Sequence, residues 1–224
     1  MTAIPVQALI QSLVACHRDG SQLRAVDWQH AVRDEADAYD VQDGVAAGLG
    51  WPLTHWKSGG AGPLGPFSHS PVAPTAAKTL LGIEAEVALR VDAHGAPDAM
   101  CIAVELVASR WVEGLAAPAL LRMADCQSNA GLLLGPWQPY RALDWANVSW
   151  QLALAGDDVI TRRGGHSLAD PAGVLPAWAR HATRAGRPIQ AGSVVTTGAW
   201  GGLHTLAGPA HGSLSFDGLG EFRF

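Results

Sequence analysis

The sequence predicts an α+β fold in which an N-terminal helical segment, residues 1–50, precedes a β-rich catalytic core, residues 51–224, within a single domain. Apolar residues recur at helical spacing in the first 50 positions. From Leu80 onward, short β-type runs alternate with turn signals, and two helical stretches interrupt them. The 26 glycines and 14 prolines also favour a chain with many turns over a helical bundle.

In chain order, helical spacing predicts one helix over residues 4–17 and a second over residues 28–49. Residues 51–74 are rich in Gly and Pro and predict a long loop. Because this loop carries aromatic and titratable residues, we expect it to be functional rather than disordered. Further helices are expected over residues 115–123 and 171–185. The remaining short strands are expected at residues 131–135, 149–154, 159–161, 193–197, 213–216 and 220–224.

Three glutamates lie in two apolar runs that are separated by a turn-forming segment, residues 92–98. Glu84 and Glu86 belong to the first run, and Glu105 belongs to the second. Residues two apart on a strand point to the same face, roughly 6.6 Å from each other along it. If the two runs form neighbouring strands, the three carboxylates meet.

Three carboxylates on one apolar scaffold repel one another and lose hydration, which a divalent cation would relieve. Oxygen ligands without histidine or cysteine suit a hard ion such as Mg²⁺ or Mn²⁺. The alternative is a solvent-exposed face of an antiparallel strand, where alternating glutamates are common. Glu105 argues against that alternative, because it is the one charge in an otherwise apolar run, residues 101–107.

Composition and charge exclude several classes of protein. The net charge of −5 and the lack of a basic cluster argue against a nucleic-acid partner. Three cysteines without CxxC spacing argue against disulfides and against a zinc site. The chain has no apolar run of the roughly 18 residues that a membrane helix needs, and its first residues do not resemble a signal peptide. We therefore expect a cytoplasmic protein.

Seven short strings, in this order, match one family. They are Ala-Tyr-Asp-Val-Gln at 38–42, Trp-Lys at 56–57, Gly-Ile-Glu-Ala-Glu at 82–86, Val-Glu-Leu-Val-Ala-Ser-Arg at 104–110, Ala-Asp-Cys-Gln-Ser-Asn-Ala-Gly at 124–131, Gly-Ser-Val-Val-Thr-Thr-Gly at 192–198 and Leu-Gly-Glu-Phe-Arg-Phe at 219–224. From about residue 5 to its end the chain resembles the 2-keto-4-pentenoate hydratase group of the fumarylacetoacetate hydrolase superfamily. The resemblance implies a mixed β-roll or barrel preceded by helices.

The resemblance also implies roles for individual residues. Glu84, Glu86 and Glu105 would bind the metal, and Lys57 would point into the pocket as a catalytic residue. The substrate-binding residues that it implies are Gln42, Ser128, Asn129, Thr197 and Gly198. Simpler readings stand beside these roles: a solvated lysine, a helix-surface amide, an Asx-type turn and a plain turn glycine. Arg110 is expected to brace the glutamate strands.

The chain departs from the family in two places that bear on activity. The family commonly has Asp before Ser-Arg, where this chain has Ala108. Residues 62–69 lack the Asp-aromatic-Gly segment that often supplies an acid for proton transfer, and His69 is the candidate replacement. The link between the glutamate strands is also shortened.

The expected activity is that of a metal-dependent lyase, a hydratase that acts on a 2-hydroxy-2,4-dienoate of the aromatic-catabolism type. The alternatives are a 2-oxo acid decarboxylase or C–C hydrolase on the same scaffold, and a non-catalytic paralogue that binds a small acid. The expected partner is a small 2-oxo acid, and the resemblance implies a homo-oligomer.

Overall fold

Helices α1 (Val6–Asp19) and α2 (Glu35–Leu49) begin the chain in the computed structural model, which describes residues 6–60, 67–74, 79–156, 158–206 and 208–224. The two helices pack closely at Gly44, where an added Cβ would lie only 2.4 Å from the side chain of Ile10. The second helix begins later than predicted. Asp34 caps it by accepting a hydrogen bond of 3.0 Å from the backbone N–H of Asp37, so the residues before it form turns.

The chain divides into two units, each built from three segments. Unit 1 comprises Met1–Leu53, Ser70–Leu81 and Leu106–Gly131. Unit 2 comprises Thr54–His69, Gly82–Glu105 and Leu132–Phe224. The expectation of a single domain stays a prediction.

Most of the strands lie in unit 2, and two further helices, α3 (Ala119–Ala124) and α4 (Leu175–Ala182), interrupt the strands. The strands are β1 (His55–Gly60), β2 (Phe67–Pro71), β3 (Gly82–Val91), β4 (Pro97–Val107), β5 (Asn129–Leu134), β6 (Gln138–Pro139), β7 (Ser149–Leu154), β8 (Ile160–Arg163), β9 (Val194–Thr196), β10 (Trp200–Thr205), β11 (Gly212–Phe216) and β12 (Gly220–Arg223). The prediction of an α+β fold is confirmed.

An eight-stranded mixed sheet has the order β2-β1-β9-β3-β4-β5, with β10 paired to β3 and β6 paired to β4. In it β1 pairs in parallel with β9, whereas β3 pairs antiparallel with both β9 and β10. A second, four-stranded sheet has the order β12-β11-β7-β8. The strands that carry the glutamates, β3 and β4, are therefore neighbours at the interior of the larger sheet.

The prediction of a long loop over residues 51–74 is wrong at β1 and β2, while residues 61–66 lie outside the described residues. The glycines of β1 disfavour a strand locally. Its first residues are nevertheless paired with β9, as His55 with Val194 and Trp56 with Val195. Pairing with another strand and burial override the low strand preference of these glycines. Neither can be predicted from the residues of β1 alone.

Each unit has its own apolar core. In unit 1 the core is formed chiefly by α1, α2 and α3, with Trp111 fully buried among them. In unit 2 a small cluster consists of Ala88, Cys101, Ala103 and Val194. Within the described part of the chain, no helix is both long enough and apolar enough to cross a membrane.

A buried ion pair ties unit 1 together. Arg110 donates through its backbone N–H to Asp125 Oδ2 at 3.0 Å and through its Nε to Asp125 Oδ1. The same guanidinium donates to the carbonyls of Asp125 at 3.0 Å and Asn129 at 2.9 Å. Arg110 therefore braces the segment 125–129, and the expectation that it braces the glutamate strands is corrected.

Replacing Asp125 with Ala should strongly destabilise the protein, because it leaves a buried guanidinium without its counter-ion. The expected loss is about 3–5 kcal/mol in the free energy of unfolding measured in urea. Asp98→Ala is the matched control, since Asp98 forms a 2.7 Å pair with Arg90 in which both side chains are more than 40% exposed. That change should cost about 0–1 kcal/mol. Equal losses in the two variants would contradict this account.

Candidate metal centre

The three glutamates meet in unit 2. Glu84 and Glu86 lie two positions apart on β3 and therefore share one face of the strand. Glu105 lies on the neighbouring strand β4. One carboxylate oxygen of each residue lies within 4.8 Å of the others. Glu86 is 1% exposed and Glu105 is fully buried, whereas Glu84 is half-buried. The structure thus brings together the residues that the spacing predicted would converge.

The electrostatics of this cluster oppose three negative charges. Burial, followed by repulsion from Glu105 and Glu84, raises the pKa of Glu86 well above its ordinary value. Burial also raises the pKa of Glu84, and Glu105 adds to that rise while Lys57 opposes it. A positive charge placed among these oxygens would remove the repulsion.

Lys57, on β1, supplies one such charge. Its Nζ lies 2.7 Å from Glu105 Oε1, and the residue is 7% exposed. Burial disfavours the ammonium form, but attraction from Glu105 and Glu84 outweighs it and the pKa of Lys57 is raised. The lysine therefore stays charged, and if the three glutamates are ionised the cluster keeps two uncompensated negative charges. This donor set of oxygens fits a hard divalent ion.

Thr197 and Gly198 follow β9 and lie beside the glutamates. The backbone N–H and the hydroxyl of Thr197 both donate to the carbonyl of Val87, at 3.2 and 2.9 Å. The backbone N–H of Gly198 donates to Glu86 Oε2 at 3.1 Å. These bonds orient the carboxylate of Glu86. Contacts of Thr197 and Gly198 with a substrate stay predictions.

Sequence reasoning missed His166, whose Nε2 lies 2.9 Å from the carbonyl oxygen of Thr197. This histidine follows Gly164 and Gly165 in a segment with no strand or helix pattern. Its partner is 31 positions away. No local signal could have found it, because the contact exists only after the sheets have formed.

His69, on β2, packs against Ser58 and His181. Its Nδ1 lies 2.8 Å from Ser58 Oγ, and its ring centroid lies 5.2 Å from that of His181 on α4. Burial, followed by the positive charges of Arg180 and Arg184, lowers the pKa of His69 to about 4. His69 is therefore neutral at pH 7, and its part in proton transfer stays a prediction.

The other predicted substrate-binding residues lie in unit 1. Gln42 on α2 is buried, and its amide donates to the carbonyl of Met123 at 2.7 Å. Asn129 is also buried, and its Oδ1 accepts hydrogen bonds from the backbone N–H groups of Ala73 at 3.0 Å and Gly131 at 3.1 Å. The simpler reading of Asn129 as a turn residue is thus present in the structure, while substrate binding by Gln42 and Asn129 stays a prediction.

Ser128 ends a left-handed turn that the sequence did not reveal. Cys126, Gln127 and Ser128 have φ angles of 47°, 55° and 61°, although none is glycine. Such a conformation costs roughly 1–2 kcal/mol per residue, so surrounding bonds must hold it. The carbonyl of Ser128 accepts from Ala108 at 2.9 Å. Among the described residues the buried Ser128 hydroxyl has no hydrogen-bond partner; its contact with a substrate stays a prediction.

No family model matches the chain, and the likeness described below is to solved structures. A 4-oxalocrotonate decarboxylase from Pseudomonas putida G7, complexed with magnesium and adipate, aligns with a TM-score of 0.80 and 18% identity over 97% of this chain and 95% of that one. The same decarboxylase with calcium and acetate gives a TM-score of 0.77 at the same identity and coverage. A 2-keto-3-deoxyarabinonate dehydratase gives 0.54 at 14% identity, over 77% of this chain and 72% of that one.

Identities this low bear on the fold and on nothing finer. The decarboxylase matches over almost the full length of both chains, so the likeness extends beyond the sheet that carries the glutamates. The chain therefore has the fumarylacetoacetate hydrolase-like fold that the sequence resemblance implied.

Proposed function

We propose that this chain is a divalent-metal-dependent enzyme that acts on a small 2-oxo acid, as a hydratase of a 2-hydroxy-2,4-dienoate. The observation that supports it is the cluster of three carboxylates within 4.8 Å of one another, two of them buried, with Lys57 beside them. A folded chain that keeps these charges together without a structural need is expected to use them in binding or catalysis.

In this proposal Glu84, Glu86 and Glu105 hold Mg²⁺ or Mn²⁺. A bound ion of this kind acts as a Lewis acid and stabilises negative charge on a coordinated substrate oxygen. The magnesium and adipate bound to the decarboxylase of the same fold support the pairing of a divalent ion with a small carboxylic acid.

Lys57 has the role of a charged hydrogen-bond donor. Its pKa is raised, so at pH 7 it is not a base. Its ammonium can donate to a substrate carboxylate or to an enolate oxygen, and its burial makes that interaction stronger than it would be in water. The Gly198 N–H keeps the Glu86 carboxylate in place while the substrate binds.

A decarboxylase is the second candidate, and the likeness to 4-oxalocrotonate decarboxylase at a TM-score of 0.80 favours it. Both reactions need stabilisation of an enolate, so the carboxylate cluster serves either of them. Ala108 and residues 62–69, where the chain departs from the hydratase pattern, are consistent with the third reading, a non-catalytic paralogue that binds a small acid.

We also propose a cytoplasmic location. Cys16, Cys101 and Cys126 are buried and form no disulfide, which fits a reducing compartment. The homo-oligomeric state implied by the resemblance stays a prediction.

The reaction can be identified with two substrates. The purified chain with Mg²⁺ or Mn²⁺ should consume 2-hydroxy-2,4-pentadienoate, seen as loss of its near-ultraviolet absorbance, without releasing CO₂. Release of CO₂ from 4-oxalocrotonate would instead establish the decarboxylase. Metal binding without turnover of either substrate would favour the binding role and overturn the proposed enzyme.

Glu86→Gln should abolish stabilisation by metal, because it removes a charged ligand from a site that exists only in the folded chain. For the wild type, Mn²⁺ at 100 times its Kd should add about 2.7 kcal/mol to the free energy of unfolding. Without metal the variant should be at least as stable as the wild type, since repulsion in the cluster is reduced. Glu221→Gln, at an exposed residue of β12, is the control. A metal-induced shift that persists in Glu86→Gln would remove Glu86 from the site.

Lys57→Met should separate metal binding from turnover. Without the ammonium the site is more negative, so Mn²⁺ should bind more tightly in calorimetry. The turnover number kcat should nevertheless fall about 100-fold, as when one donor to a developing oxyanion is removed. Arg90→Met, at an exposed ion pair, should change neither quantity. Unchanged turnover in Lys57→Met would exclude Lys57 from the chemistry.

A further inference from the structure

One peptide group of unit 2 is held at both ends by side chains. The carbonyl oxygen of Thr197 lies 2.9 Å from His166 Nε2, and the N–H of Gly198 donates to Glu86 Oε2 at 3.1 Å. These two atoms belong to the same peptide unit, which is planar and rigid. A rotation of that unit would therefore move the hydrogen bond to Glu86 together with the one to His166.

The hydrogen bond to Thr197 places a proton on Nε2 of His166, and in the neutral ring Nδ1 is an acceptor. A carbonyl oxygen can only accept, so the Nε2 that faces Thr197 carries the proton. Nδ1 is then an acceptor, and the backbone N–H of Leu168 lies 3.1 Å from it. The carbonyl of Leu168 lies 3.2 Å from the same nitrogen, but a neutral ring has no second proton to give it. Burial lowers the pKa of His166, which agrees with a neutral ring.

The segment that carries His166 is itself anchored to the four-stranded sheet. The backbone N–H of Gly164 donates to Val148 at 2.8 Å, and the indole N–H of the buried Trp150 on β7 donates to the carbonyl of Gly164 at 2.9 Å. The ring of His166 also packs on Trp200, with centroids 5.1 Å apart. These contacts hold the side chain of His166 in one position.

Gly198 completes the link from the other side. Its φ of +107° is a conformation that side-chain-bearing residues rarely adopt. Thr197 is tied to Val87 by two hydrogen bonds. These bonds leave rotation as the main motion open to the peptide unit, and the hydrogen bond from His166 restrains that rotation.

Resting on the proposed function, we propose that His166 is a positioning residue for the metal centre: through the peptide unit of Thr197 and Gly198 it orients the carboxylate of Glu86. His166 is hydrogen-bonded to the carbonyl oxygen of that peptide unit, and Glu86 is hydrogen-bonded to its N–H. Partners that orient a metal ligand typically contribute 10–100-fold in affinity, and a partner that acts through a peptide unit is expected at the lower end, about tenfold.

The test is the Kd for Mn²⁺, measured by electron paramagnetic resonance on the purified protein, without substrate. His166→Leu should weaken binding about tenfold. His166→Gln should restore most of it, because its amide offers both a donor for Thr197 and an acceptor for Leu168. His204→Leu is the matched control, because it changes a histidine of the same unit whose ring packs on Trp150. It should bind Mn²⁺ as the wild type does.

Hydrogen exchange at the Gly198 amide reports the hydrogen bond from Gly198 to Glu86 without metal. The exchange should be faster in His166→Leu than in His204→Leu. If His166→Leu does not fold, His166→Asn replaces it, since the shorter amide cannot bridge both partners. Wild-type Mn²⁺ affinity in a folded His166→Leu or His166→Asn, or an equal loss in His204→Leu, would overturn this inference alone. A wild-type chain that binds no Mn²⁺ would overturn the proposed function together with it.

Discussion

Repulsion among three carboxylates, two of them buried, is the interaction on which the rest of the site depends. Glu84, Glu86 and Glu105 converge on neighbouring strands, and Lys57 neutralises only part of their charge. A protein core normally excludes such an arrangement, because buried charges of one sign lose hydration and repel one another. Its presence in unit 2 is therefore better explained by ligand binding than by stability.

The surroundings of the cluster restrain its geometry more than they neutralise its charge. Glu86 receives one backbone hydrogen bond, and its pKa is still well above the ordinary value. Neighbouring strands pair with β3, and the two hydrogen bonds from Thr197 to Val87 join the end of β9 to β3. Fixed positions and unbalanced negative charge together favour the binding of a cation.

The sequence allowed the glutamates to be found because a strand has a period of two, which places Glu84 and Glu86 on one face whatever the rest of the fold does. Glu105 was found because a charge inside an apolar run is unusual. By contrast, β1 and β10 were missed, since their glycines disfavour strands until β9 and β3 pair with them. His166 was missed for the same reason: its contact with Thr197 is a product of tertiary structure. The left-handed turn at Ser128 had no signal either, because none of its three residues is glycine.

The peptide unit between Thr197 and Gly198 has a consequence for how such proteins are compared. Nearly all amino acids have a backbone carbonyl and N–H. The hydrogen bond that orients Glu86 therefore depends on main-chain atoms and not on the side chains of residues 197 and 198. A distant homologue with another residue at 197 would keep the carbonyl and the N–H of this peptide unit and would lose only the hydroxyl bond to Val87. A sequence alignment would then show a substitution where the hydrogen bond to the glutamate is unchanged. A superposition of the main-chain hydrogen bonds would show that the bond is shared.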